Sequence, residues 1–155
     1  MRGCMKVLLP VEGAFDAKFI IDFISNYRWL RGTQFKLLHV IAESDADETG
    51  AVAASNDMLD GLMKTIQRYL PESVLEKEVI PGTPIFSIIQ QSTDWEANMI
   101  VMGFRSGLSI HQYLAGSVSR GVTLQAPCSV VVIRPPSKAD THRDTADVEP
   151  VRRQA

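Results

Sequence analysis

Short apolar runs alternate with helical stripes along most of this 155-residue chain, and that order constrains the fold more than any other feature. Lys6 to Val11 is too continuously apolar for a strand with one wet face, so it reads as a strand buried on both sides. Within residues 16–30, Phe19, Ile20, Phe23, Ile24 and Tyr27 recur at helical intervals. Asp16, Lys18, Asp22 and Asn26 fall on the opposite, solvent-facing side, and Gly32 is the expected stop. Phe35 to Ile41 is a second apolar strand. The acidic, small-residue stretch from Glu43 to Ala54 is a loop or a frayed helix entrance. Met58, Leu59, Leu62, Met63, Ile66, Tyr69 and Leu70 then form a helical stripe that Pro71 ends. Val74 to Ile80 alternates enough for a strand near the sheet edge. Thr83 as N-cap and Pro84 at the first helical position open a helix that runs to about Glu96. Met99 to Met102 is the fourth strand, Ser117 to Gln125 the next helix and Cys128 to Ile133 the fifth strand. Strand alternating with helix calls for parallel pairing and right-handed crossovers. The expected fold is therefore α/β: a three-layer, doubly wound sandwich around a five-stranded parallel sheet. Its ligand crevice belongs beyond the carboxyl ends of the strands, where the winding reverses.

One segment carries chemistry. After Met102 come Gly103, a loop of about a dozen residues and Gly116-Ser117 opening a helix. Small residues there let backbone N–H groups approach an anion, and a first helical turn adds unpaired donors and partial positive charge. Arg105, inside the loop, is a candidate charge-assisted donor to phosphate. Glycines also close turns in proteins that bind nothing, so plain turn and N-cap duty stands beside the phosphate reading. Catalysis finds little footing. The chain has no Gly-x-x-x-x-Gly-Lys-Ser/Thr loop, and no Ser/His/Asp or Cys/His set has a readable signature. His39, His111 and His142 lack paired metal-ligand spacing. Binding rather than turnover is expected, and any ATP hydrolysis would be slow for want of a general base.

Composition excludes other classes. A net charge of −2 and a pI of about 5.9 argue against a general nucleic-acid or membrane-surface binder. No apolar run approaches the roughly 20 residues of a membrane span. The start, Met1 to Lys6, has no apolar leader, which makes a cytoplasmic setting the default expectation. In that setting Cys4 and Cys128 are expected to be reduced and packed. Beyond Arg134-Pro135-Pro136 the composition turns polar and charge-balanced. Residues 1–136 are thus expected to form one domain and residues 137–155 a disordered tail.

On these motifs the chain resembles the universal stress protein family over about residues 4 to 134. After strand four, its nucleotide-binding members carry glycine, two residues, glycine, nine residues, then glycine with serine or threonine. Gly103, Phe104-Arg105, Ser106, the nine residues Gly107 to Ala115, and Gly116-Ser117 keep that spacing. Val7 to Ala14 is similar to the family's opening strand and turn, Leu37 to Val40 to its second strand, and Ala126 to Ile133 to its closing strand. The second-strand match makes His39 structural. The resemblance implies an adenine-nucleotide alpha-hydrolase-like sheet of order 3-2-1-4-5. It implies adenine and ribose against Pro10, Val11, Glu12 and Val40. Phosphates would lie against Met102, Gly103, Ser106, Gly116, Ser117, Val118 and Ser119. The implied ligand is ATP or a related adenine nucleotide, with magnesium as its candidate companion. The implied role is a stress-response module that signals by being filled, with a protein partner that the sequence does not name. It further implies a homodimer through strand 130–133, whose apolar edge invites pairing with a second copy. Three positions depart from the family pattern: Glu12 replaces the usual aspartate, Ala14 a common serine and Ser106 the second glycine. At a positive φ a serine costs on the order of 1 kcal/mol. These departures define the alternative, a dimeric scaffold of the same fold that holds no nucleotide.

Overall fold

A computed structural model describes residues 4–46, 50–104 and 117–134. Its strands are β1 (Lys6–Pro10), β2 (Gln34–Ile41), β3 (Val74–Pro81), β4 (Met99–Gly103) and β5 (Ser129–Ile133). They pair in parallel throughout, in the order β3-β2-β1-β4-β5. The helices are α1 (Ala14–Ser25), the single turn α2 (Glu43–Ala46), α3 (Ala51–Tyr69), α4 (Pro84–Asp94) and α5 (Ser117–Gln125). This is the doubly wound α/β arrangement that the alternation of elements demanded.

Side-chain alternation splits the core into two layers. Val7, Leu9 and Val11 join Phe35, Leu37 and Val101 beneath α1 and α3, whose Ile20, Ile24, Leu59 and Ile66 close that layer. Leu8, Leu38, Ile100 and Met102 face the other way, against Ile88 of α4 and Val122 of α5. On this second face α5 lies close over α4. A Cβ built on Gly121 would stand 2.6 Å from Ile85 Cδ1, so a side chain there would force Ile85 to turn aside. The strand at the β3 edge is the least buried, as its alternating sequence anticipates.

Several boundaries differ from the sequence reading for local reasons. Helix α1 ends at Ser25 rather than near residue 30. Trp29 folds back so that its indole Nε1–H donates to the Ile24 carbonyl at 2.7 Å, satisfying one of the acceptors a helix end leaves over. The same indole meets Phe35 edge-on, with ring centroids 5.2 Å apart. Thr83 holds the N-cap position of α4, but its side chain makes no capping hydrogen bond there; Pro84 begins the helix. Part of the acidic stretch is helical as α2, and residues 47–49 lie outside the described residues. Both cysteines are free, yet only Cys128 is packed; Cys4 is exposed on the approach to β1. Burial pushes the Cys128 thiol above its ordinary pKa. The expected tail, 137–155, also lies outside the described residues.

Candidate functional site

The sheet opens where its winding reverses. β1 and β4 stand in register only at Val7–Met99 and Leu8–Ile100. The outer pairings run further: β1–β2 continues to Pro10–Leu38, and β4–β5 to Gly103–Ile133. Beyond Leu8 and Ile100 the two central strands therefore part, leaving a fork at their carboxyl ends. Ligand crevices in open parallel sheets lie at such a fork.

The expected adenine and ribose residues occupy one prong. Pro10 and Val11 are buried, while Glu12 is exposed at the strand exit. The backbone of Val11 is already engaged: its N–H donates to Leu38 O at 2.8 Å. Its carbonyl accepts from His39 Nδ1 at 2.7 Å, which fixes that nitrogen as the protonated one. His39 thus ties the tip of β2 to the exit of β1, the structural role expected of it. Val11 and Val40 do not face each other. Val11 packs in the layer under α1, and Val40 is half-buried against the layer under α4 and α5. Val40 shares that second face with Met102 and Val118.

The other prong ends at Gly103. Ser117 is exposed and Ser119 buried at the start of α5, so the described phosphate-side residues span one helix entrance and one strand end. Arg105, Ser106 and Gly116 lie outside the described residues. Just past β5, Arg134 lays its guanidinium over the Phe104 ring, 4.1 Å from the centroid. The Phe104 N–H donates to Ile133 O at 2.7 Å. A cation therefore stands on the carboxyl edge of the sheet, at a position that the sequence marks only as the end of the domain.

A second residue was missed. The helical pattern put Asp16 on the solvent face of α1, but its side chain turns back into the β1–α1 turn. Oδ2 accepts the Glu12 N–H at 2.9 Å and Oδ1 the Gly13 N–H at 3.0 Å. Gly13 is the N-cap and Asp16 the third helical residue, the spacing at which an acidic side chain reaches back to the cap amide. That spacing was legible. On its other side Asp16 meets β4: a Cβ built on Gly103 would lie 3.0 Å from Asp16 Cβ. Among the described residues no group of three or more histidines, cysteines or carboxylates assembles a metal site. No helix among them is long and apolar enough to cross a membrane.

Solved structures share this architecture. A universal stress protein from Archaeoglobus fulgidus in complex with dAMP superposes with a TM-score of 0.66, at 20% identity over 86% of this chain and 99% of that one. An Arabidopsis thaliana universal stress protein family protein with AMP bound gives 0.63, at 18% identity over 90% and 97%. A universal stress protein in complex with cAMP gives 0.65, at 12% identity over 84% and 97%. At such identities the likeness speaks for the fold. No curated protein sequence matches the chain significantly. The sequence does match the Universal stress protein family across residues 4–134, which takes in all five strands and the fork between β1 and β4. The chain belongs to the universal stress protein family.

Proposed function

We propose that this chain is an adenine-nucleotide-binding stress-response module, a cytoplasmic homodimer whose output depends on whether the crevice is filled. The observation that carries this reading is the β1–β4 fork, with Gly103 at the end of one prong. Backbone donors at a strand exit and a helix start suit a phosphate-bearing ligand. The AMP, dAMP and cAMP held by the similar structures give the ligand class its support. ATP, with magnesium as its companion, belongs to the same class. The carboxylate of Glu12 suits hydrogen bonds from ribose hydroxyls, and Arg105, Ser106 and Gly116 would complete the phosphate side. The reading is occupancy rather than turnover. A ligand then acts only by binding one conformation better than another.

Protein purified without added nucleotide, then acid-extracted and chromatographed, is expected to release an adenine nucleotide. Added ligand at a hundredfold excess over Kd would stabilise the folded state by about 2.7 kcal/mol, visible as a raised Tm. No released nucleotide, together with an unmoved Tm in millimolar AMP and in millimolar ATP with magnesium, would leave the scaffold alternative standing.

The homodimer has its own support. β5 is the last strand of the sheet order, and Val130 to Ile133 are only half-buried. An isologous contact along that strand would cover both the apolar side chains and the backbone edge. Sedimentation is expected to give twice the chain mass, and Val132→Glu to give monomer that stays folded. A wild-type monomer at micromolar concentration would contradict it.

A further inference from the structure

The carboxylate of Asp16 is anchored across the mouth of the fork. Its two oxygens hold the N–H groups of consecutive residues, Glu12 and Gly13, so the side chain cannot swing away without breaking both bonds. Those amides, at the exit of β1 and the start of α1, are donors that an anionic ligand would otherwise use; Asp16 has already filled them. Its Cβ rests against Gly103 on the opposite prong, where the phosphate side begins. The ion pairs among the described residues lie elsewhere, at Arg31–Glu72, Lys36 with Glu76 and Glu78, and Lys77–Asp60. A fixed negative charge thus stands at the mouth of the fork, beside the end of β4.

We propose that Asp16 sets the charge limit of this crevice and makes it select a nucleoside monophosphate over ATP. The proposal rests on the nucleotide reading above and refines it. Each further phosphate charge held about 6 Å from a carboxylate costs roughly threefold in affinity at water-like screening and about a hundredfold at a protein-surface dielectric. Magnesium offsets part of that charge, so the affinity order is AMP, then magnesium-bound ATP, then metal-free ATP. Asp16 acts here as a specificity-determining residue; it also holds the turn, and the two roles separate experimentally.

Calorimetric titration of the full chain with AMP, and with ATP in the presence and absence of magnesium, reads the preference directly. Wild type is expected to bind AMP about tenfold tighter than metal-free ATP, a ratio that narrows with added salt. Asp16→Asn and Asp16→Ser both remove the charge while keeping one acceptor for the turn, and both are expected to bring the ratio near one. Thermal unfolding of the ligand-free variants registers the structural role separately. A ratio unchanged in both variants, with AMP and ATP affinities falling together, would reduce Asp16 to a turn-holding residue and overturn the proposal. Wild-type preference for metal-free ATP would overturn it too, while leaving the nucleotide reading intact. Failure of the wild type to bind either nucleotide would remove the nucleotide reading itself, and this refinement with it.

Discussion

Gly103→Val is expected to weaken adenine-nucleotide binding by about a hundredfold, the largest functional loss that a single substitution at the described residues should produce. The reason is space rather than backbone torsion, because Gly103 is not among the described glycines with positive φ. A bare Cβ there already stands 3.0 Å from Asp16 Cβ and 3.9 Å from Asp16 Cα. Valine adds two branches. Asp16 cannot retreat freely, since its carboxylate holds the Glu12 and Gly13 amides. Either those two hydrogen bonds break or the end of β4 is pushed aside, and both outcomes reshape the fork. Overpacking of this kind costs about 1–3 kcal/mol of stability as well. Gly103→Ala asks for a shift of only a few tenths of an ångström and should fall between valine and wild type. Nucleotide titration and urea unfolding of the three proteins measure both effects. Unchanged affinity in the folded valine variant would place the ligand away from β4.

Ile100→Ala has the largest expected effect on stability, a loss of about 2–5 kcal/mol. Ile100 is fully buried in the second core layer, among Leu8, Leu38, Ile88, Met102 and Val122. It stands opposite Leu8 in the last registered pair before β1 and β4 part. The cavity would therefore sit directly beneath the fork, walled by strands that cannot close without losing their pairing. Against a total of about 5–15 kcal/mol for a domain of this kind, such a loss shifts the urea midpoint far while leaving the m-value alone. A loss below about 1 kcal/mol would mean that α4 and α5 collapse into the space, contrary to the close packing at Gly121 and Ile85.

The strands and the winding were legible because β1 and β4 are short continuous apolar runs, which only burial on both faces explains. What escaped the sequence depended on reach rather than on pattern. The aromatic spacing through Tyr27 continues a helix on paper, but α1 ends at Ser25, where the Asn26 and Tyr27 amides and the Trp29 indole turn back onto its last carbonyls. Asp16 looked solvated because a helical wheel records which face a residue occupies, not how far a first-turn carboxylate bends back. Its cap spacing from Gly13 was readable; its contact with Gly103, 87 positions along the chain, was not. Val11 and Val40 send their side chains to opposite layers of the sheet, a division that strand alternation sets and that a list of strand-end residues does not show. Arg134 could be found only by knowing that β5 ends beside Phe104.

Backbone amide chemical shifts of the full chain, followed by NMR while AMP is titrated to millimolar concentration, ask where the ligand sits. The expected changes cluster at Glu12 to Asp16, His39 and Val40, Gly103 and Phe104, and Ser117 to Ser119, at the carboxyl ends of β1, β2 and β4 and the start of α5. Silent spectra, or shifts confined to the β3 edge or to the outer faces of α3 and α4, would contradict a nucleotide site at that fork.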